Sequence, residues 1–162
     1  MSTEQATARE RTVEFQYRYS VRATPDELWA FVTDVPSVGM CIPGASDVKP
    51  DADGSYRGSV KVRVGPVALT LNGKLTVEAS DPEARRIVLA GEGADGRVPG
   101  SVRVRITMTV EPKDAELTDL VVVSEANILG KLGEFGQGII RRKADGIMKD
   151  FGQNLSDKVG KS

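Results

Sequence analysis

Cys41 is the only cysteine in a chain of 162 residues, and it stands against a rigid turn in Met40-Cys41-Ile42-Pro43-Gly44. A thiol so placed serves as a nucleophile, a metal ligand or a packed apolar group. The chain contains no histidine, so it lacks the side chain that most often activates a thiol or hydroxyl and most often binds zinc. A Cys-His or Ser-His pair is impossible within one chain, and neither a metal site nor a covalent cofactor is expected. Cys41 therefore reads as a packing residue, facing either the core or a ligand. Carboxylates and tyrosines remain for acid–base work, yet no pair is singled out by spacing. The reading is a protein that binds rather than catalyses.

The composition sets the class. Hydrophobic residues make 40% of the chain and charged residues 28%, an ordinary balance for one globular domain. The net charge is −1 and aromatics make 5%, which gives nucleic acid neither a basic field nor stacking platforms. No run approaches the roughly 18 apolar residues that cross a bilayer. Residues 1–10 are polar and are expected to be a disordered tail, with a single domain over 11–160. A lone cysteine forms no internal disulfide and fits a cytoplasmic location.

The elements that must position any site follow from periodicity. Alternation of period two dominates, as in Val13, Phe15, Tyr17, Tyr19 and Val21, or Val102, Val104, Ile106, Met108 and Val110. Each such segment has an apolar face and a charged face, so the sheet is antiparallel and needs a cover on one side. Gly65-Pro66 marks a hairpin tip, because proline cannot donate to a ladder. Thr24-Pro25 with Glu27 starts a helix carrying Leu28, Phe31, Val32 and Val35. A second, long amphipathic helix is expected from about Leu129 to Val159, with Leu132, Phe135, Ile139, Ile147, Phe151 and Leu155 recurring. The fold class is α+β, a curved antiparallel sheet of about seven strands wrapped on a long C-terminal helix, with two short helices after the first strand.

This order of elements resembles the helix-grip fold of the START/Bet v 1-like superfamily. Several stretches are similar, more specifically, to the CoxG family of carbon monoxide dehydrogenase subunits. They are ATPDELWAFVTD, CIPGA, KVRVGPVALTLNGKLTV, GEG followed by GSVRVRITMTVEP, and GKLGEFGQGII, which together span about residues 12–155. The resemblance implies a cavity between sheet and helix for a hydrophobic ligand. It also implies an accessory role beside a molybdenum-containing carbon monoxide dehydrogenase, recruiting it to the membrane or linking it to the quinone pool. A peripheral contact with the inner face of the cell membrane goes with that role. Longer family members add a hydrophobic C-terminal extension, whereas this sequence ends in polar NLSDKVGKS, so direct anchoring is not expected.

With that cavity in view, the inward strand positions Val62, Val64, Leu69, Leu71, Leu89, Val104 and Ile106 supply its lining, and Leu132, Phe135 and Ile139 close it from the helix. Each of these taken singly is equally well a core residue. Trp29, Phe135 and the tyrosines can contact a quinone ring, while Met40, Cys41 and Ile42 flank it beside the Pro43 turn. Gly130, Gly133, Gly136 and Gly138 weaken the start of the long helix; they read either as close packing on the sheet or as a portal. GADGRVPG at 93–100 precedes a strand rather than a helix, which excludes a phosphate loop and makes it a mobile lip. Arg141, Arg142 and Lys143 read as a solvated helix face, or as a patch for an acidic partner or anionic lipid. The expected ligand is a non-covalently held isoprenoid quinone, menaquinone or ubiquinone. A docking scaffold without ligand and a cyclase or hydratase of the same fold are the competing readings.

Overall fold

A computed structural model describes residues 10–160, and the period-two segments become strands in it. β1 (Glu10–Val21) leads into α1 (Pro25–Thr33) and the short α2 (Val35–Gly39). Six strands follow: β2 (Ala45–Pro50), β3 (Tyr56–Val64), β4 (Val67–Asp81), β5 (Arg86–Ala94), β6 (Gly100–Pro112) and β7 (Thr118–Gly130). A 3-10 turn (Lys131–Glu134) and α3 (Gln137–Val159) end the described chain. All seven strands form one antiparallel sheet in the order β1-β7-β6-β5-β4-β3-β2. The tail read at 1–10 lies, apart from Glu10 at the head of β1, outside the described residues.

Local chemistry sets the corners. Thr24 Oγ1 accepts from the Glu27 N–H at 3.1 Å while the Glu27 carboxylate accepts from the Thr24 N–H at 2.9 Å, and Pro25 occupies the first turn of α1. Val64 pairs with Val67 across Gly65-Pro66, which is the hairpin tip. A register shift between Val77 and Ala79 bulges β4, and Val77 is left exposed beside it.

The long helix starts later than its periodicity predicts. Ile128, Leu129 and Gly130 still pair with Val102, Ser101 and Gly100, extending β7. Gly130 then turns out of the strand at φ +69, backbone against backbone with Gly100. A 3-10 turn carries the chain to Gly136, whose extended conformation precedes the helix. The ladder partners offered by β6 outweigh a glycine-weakened helix turn, so Gly138 alone of the four glycines lies inside α3.

α3 is fastened to β1 along a seam. The Arg141 guanidinium lies 5.0 Å from the Phe15 ring centroid and donates to the Glu14 carbonyl at 3.2 Å. Tyr17 donates its phenolic proton to Asp145, and Tyr19 donates to the Met148 carbonyl at 2.8 Å. Gly152 permits the approach, because a Cβ there would collide with the Tyr19 ring. The basic run is thus divided: Arg141 is bound to β1, Arg142 is exposed, and Lys143 turns toward the sheet.

Burial pushes the Tyr19 phenol up to about 12, and burial together with the Asp145 carboxylate raises Tyr17 further. Both folded values stand above the ordinary phenol value near 10. The stability they contribute is complete below pH ~10 and is lost as pH rises through the folded values. The urea midpoint should therefore fall steeply above pH ~10, and less steeply in Tyr19→Phe. Equal slopes in the two proteins would contradict this account of the seam.

Candidate ligand cavity

The inner faces of the strands and the helices above them pack into a core at one end of the sheet. Leu28 and Val32 of α1 and Phe151 and Leu155 of α3 meet Ile87, Met108, Val110, Leu120 and Val122 there. At the other end, under the first turns of α3, the same two layers enclose a cavity of about 390 Å³. Close-packed interiors hold few voids larger than a water molecule, and ligand sites begin at about 300 Å³. This space is of ligand size.

Glycines on the inner sheet face make the room. Gly58, Gly73 and Gly93 sit opposite one another on β3, β4 and β5, and Gly91 lies in the next row beside Val104 and Ala126. Larger residues at the margins, Phe135 and Ile140 among them, hold α3 off the sheet. The glycine signal in the sequence pointed to loops and the helix start. The informative glycines are those inside YRGSV, LNGKL and AGEGA, each in the inward phase of its strand.

Nine expected residues border the cavity: Ile42, Val62, Val64, Leu69, Leu71, Val104, Ile106, Leu132 and Phe135. The other six do not. Trp29, Cys41 and Leu89 belong to the packed core at the opposite end. Met40 ends α2 at 45% exposure, and Gly136 precedes the first turn of α3 with open space beside it. Ile139 is 41% exposed. Because α3 begins at Gln137, its inward stripe is Ile140, Lys143–Ala144 and Ile147–Met148, and Ile139 falls one position off it. Val48, Val102, Ser124, Ala126 and Ile128 also line the space and were not expected.

Cys41 is wholly buried, its thiol 3.7 Å from the Ser37 carbonyl and its own carbonyl accepting from Asn154 Nδ2 at 2.8 Å. Burial pushes the thiol up, away from the reactive thiolate. It packs. The segment expected as a mobile lip is tied down. Asp95 accepts from the Thr70 and Arg97 N–H groups at 2.7 Å each and pairs with the Arg97 guanidinium at 3.2 Å, which holds its carboxyl well below the usual range. The Pro99 carbonyl accepts from the Lys131 N–H at 3.0 Å.

Arg57, Lys74 and Glu92 border the bare glycine row, but their charges pair with Asp51, Asp53 and Arg103. Among the described residues no group of three or more His, Cys, Asp or Glu could hold a metal, and no helix is long and apolar enough to cross a membrane.

A seven-stranded antiparallel sheet gripping a C-terminal helix over an apolar cavity is the helix-grip fold. Residues 18–160 match the family described as the G subunit of carbon monoxide dehydrogenase (CoxG), and the chain belongs to that family. No curated protein matches it. Among solved structures, a conserved protein from Geobacillus kaustophilus is similar at TM-score 0.79 and 20% identity, covering 91% of this chain and 95% of that one. The Zhui aromatase/cyclase from Streptomyces sp. R1128 is similar at TM-score 0.59 and 16% identity, covering 92% of each chain. Norcoclaurine synthase from Thalictrum flavum is similar at TM-score 0.60 and 14% identity, covering 94% of this chain and 89% of that one. At such identities the likeness is one of fold.

Proposed function

We propose that this protein is a non-enzymatic accessory of a carbon monoxide dehydrogenase that holds the ring of an isoprenoid quinone in its cavity and links the dehydrogenase to the membrane quinone pool. The observation that carries the reading is the cavity, apolar on nearly every side and opened by a row of inward glycines. The family's description supplies the dehydrogenase as partner. Catalysis by an acid–base pair has less support, since Glu92 is the one carboxylate on the wall and its charge is engaged by Arg103.

Size favours the ring over the tail. A cavity of about 390 Å³ stands near the lower end of ligand sites, which suits a methyl-substituted quinone nucleus better than a long polyprenyl chain. The tail leaves by the flank of α3 away from β1, where Lys143, Ile147 and Met148 of the helix and Ile42, Val48 and Gly58 below it all line the cavity. Among the described residues the hydrogen bonds from α3 to the sheet run to β1 alone. Burying the ring gains little relative to lipid, which is equally apolar, so a peripheral protein at the inner face of the membrane must recognise the head group itself.

Isothermal titration with menadione and with a short-tailed ubiquinone tests the reading. Saturable binding near one per chain is expected. Absence of saturable binding for both would refute it and favour a ligand-free docking scaffold.

A further inference from the structure

Two side chains on the cavity wall end in polar groups without a partner. Ser124 lies on the inner face of β7 between Ile106 of β6 and Phe15 of β1, half-buried, and its hydroxyl makes no hydrogen bond among the described residues. Lys143 stands on the inward stripe of α3 between Ile140 and Ile147, also half-buried, and its ammonium has neither ion pair nor hydrogen bond among the described residues. The charged groups around them are engaged elsewhere: Arg141 with Glu14 and Phe15, Asp145 with Tyr17, and Arg57, Lys74 and Glu92 across the sheet.

An ammonium carries three donors and no acceptor. Half-buried at the cavity edge, it keeps part of its hydration but has no partner among the described residues, so an acceptor carried by what enters the cavity would be its first. A serine hydroxyl in the same wall offers one further donor. Apolar sites orient their ligands through a few such groups.

We propose that Lys143 is a ligand-binding residue that selects apolar molecules carrying an oxygen acceptor on the head, and that Ser124 engages a second acceptor where the ligand has one. The inference rests on the cavity being the ligand site, and extends that reading to the chemistry of the head group: a quinone carbonyl or a fatty carboxylate meets the ammonium. A charge-assisted bond of this kind is stronger than a neutral one.

The test is binding of three probes, menadione, palmitate and 2-methylnaphthalene, to the full chain and to Lys143→Met, Lys143→Arg and Ser124→Ala. Methionine keeps an unbranched apolar stem, so packing is retained while the donor is lost. Lys143→Met should weaken menadione roughly tenfold or more and leave 2-methylnaphthalene unchanged, with Lys143→Arg restoring most of the affinity. Ser124→Ala should weaken menadione by a smaller factor. If palmitate binds in a Lys143-dependent way and menadione does not bind, the assignment of Lys143 stands and the quinone reading fails. If Lys143→Met alters menadione and 2-methylnaphthalene equally, or alters no probe, or if no acceptor-bearing probe binds the natural chain, the assignment is overturned.

Discussion

Gly93→Leu should abolish tight ligand binding while leaving the protein folded. Gly93 lies on the inner face of β5, paired with Gly73 and Val102. A Cβ there would stand 3.4 Å from the Asn72 carbonyl oxygen and 3.7 Å from Leu71 Cβ, ordinary contacts that the backbone accepts. The remaining leucine carbons then project into the cavity. At about 30 Å³ per group these three carbons occupy roughly 90 Å³ of the available space, and a ring can enter only by overpacking. That costs about 1–3 kcal/mol, a rise in Kd of roughly fivefold to a hundredfold. The thermal midpoint should stay level or rise, since apolar carbon fills a void. Gly73 makes the contrast: its Cβ would stand 2.6 Å from the Glu92 carbonyl oxygen, so substitution there strains the sheet as well. Unchanged affinity in a folded Gly93→Leu would place the ligand elsewhere.

The largest loss of stability is expected at the other end of the same helix. Phe151 is 4% exposed, its ring centroid 5.7 Å from that of Tyr19, within the cluster that also holds Leu28, Leu120 and Leu155. Phe151→Ala should cost about 3–5 kcal/mol in urea unfolding, because the surrounding side chains belong to several separate elements and cannot collapse together. Phe135→Ala should cost clearly less. Its ring already faces empty space on the cavity side, so fewer contacts are lost with it. Equal costs would contradict the division of the domain into a packed end and an open end.

That division was only half legible in the sequence. Alternation along β1, β3, β4 and β6 marks the inward positions directly, because a strand's period of two leaves little choice of face once one side is charged. The capping box at Thr24 and Glu27 placed the start of α1 at Pro25, but the helix ends at Thr33, and Val35, expected on its stripe, opens α2 instead. The start of α3 was not legible, since Ile128 and Leu129 suit a strand and a helix alike, and the choice is made by their partners on β6. That one misplacement shifted the helical phase and exchanged Ile140 for Ile139. Cys41 and Trp29 were drawn toward the cavity by their chemistry, whereas their packing under α1 and α2 depends on contacts far apart in sequence. The glycine row was written in the sequence throughout, and becomes visible only when glycines within strands are read by face.

The central claim is that the cavity carries a quinone ring, and mass spectrometry of an organic extract from the natively purified protein tests it most directly. The account predicts an isoprenoid quinone at close to one molecule per chain, lost from Gly93→Leu purified in the same way. An extract without quinone, together with failure of added menaquinone and ubiquinone analogues to bind, would contradict it.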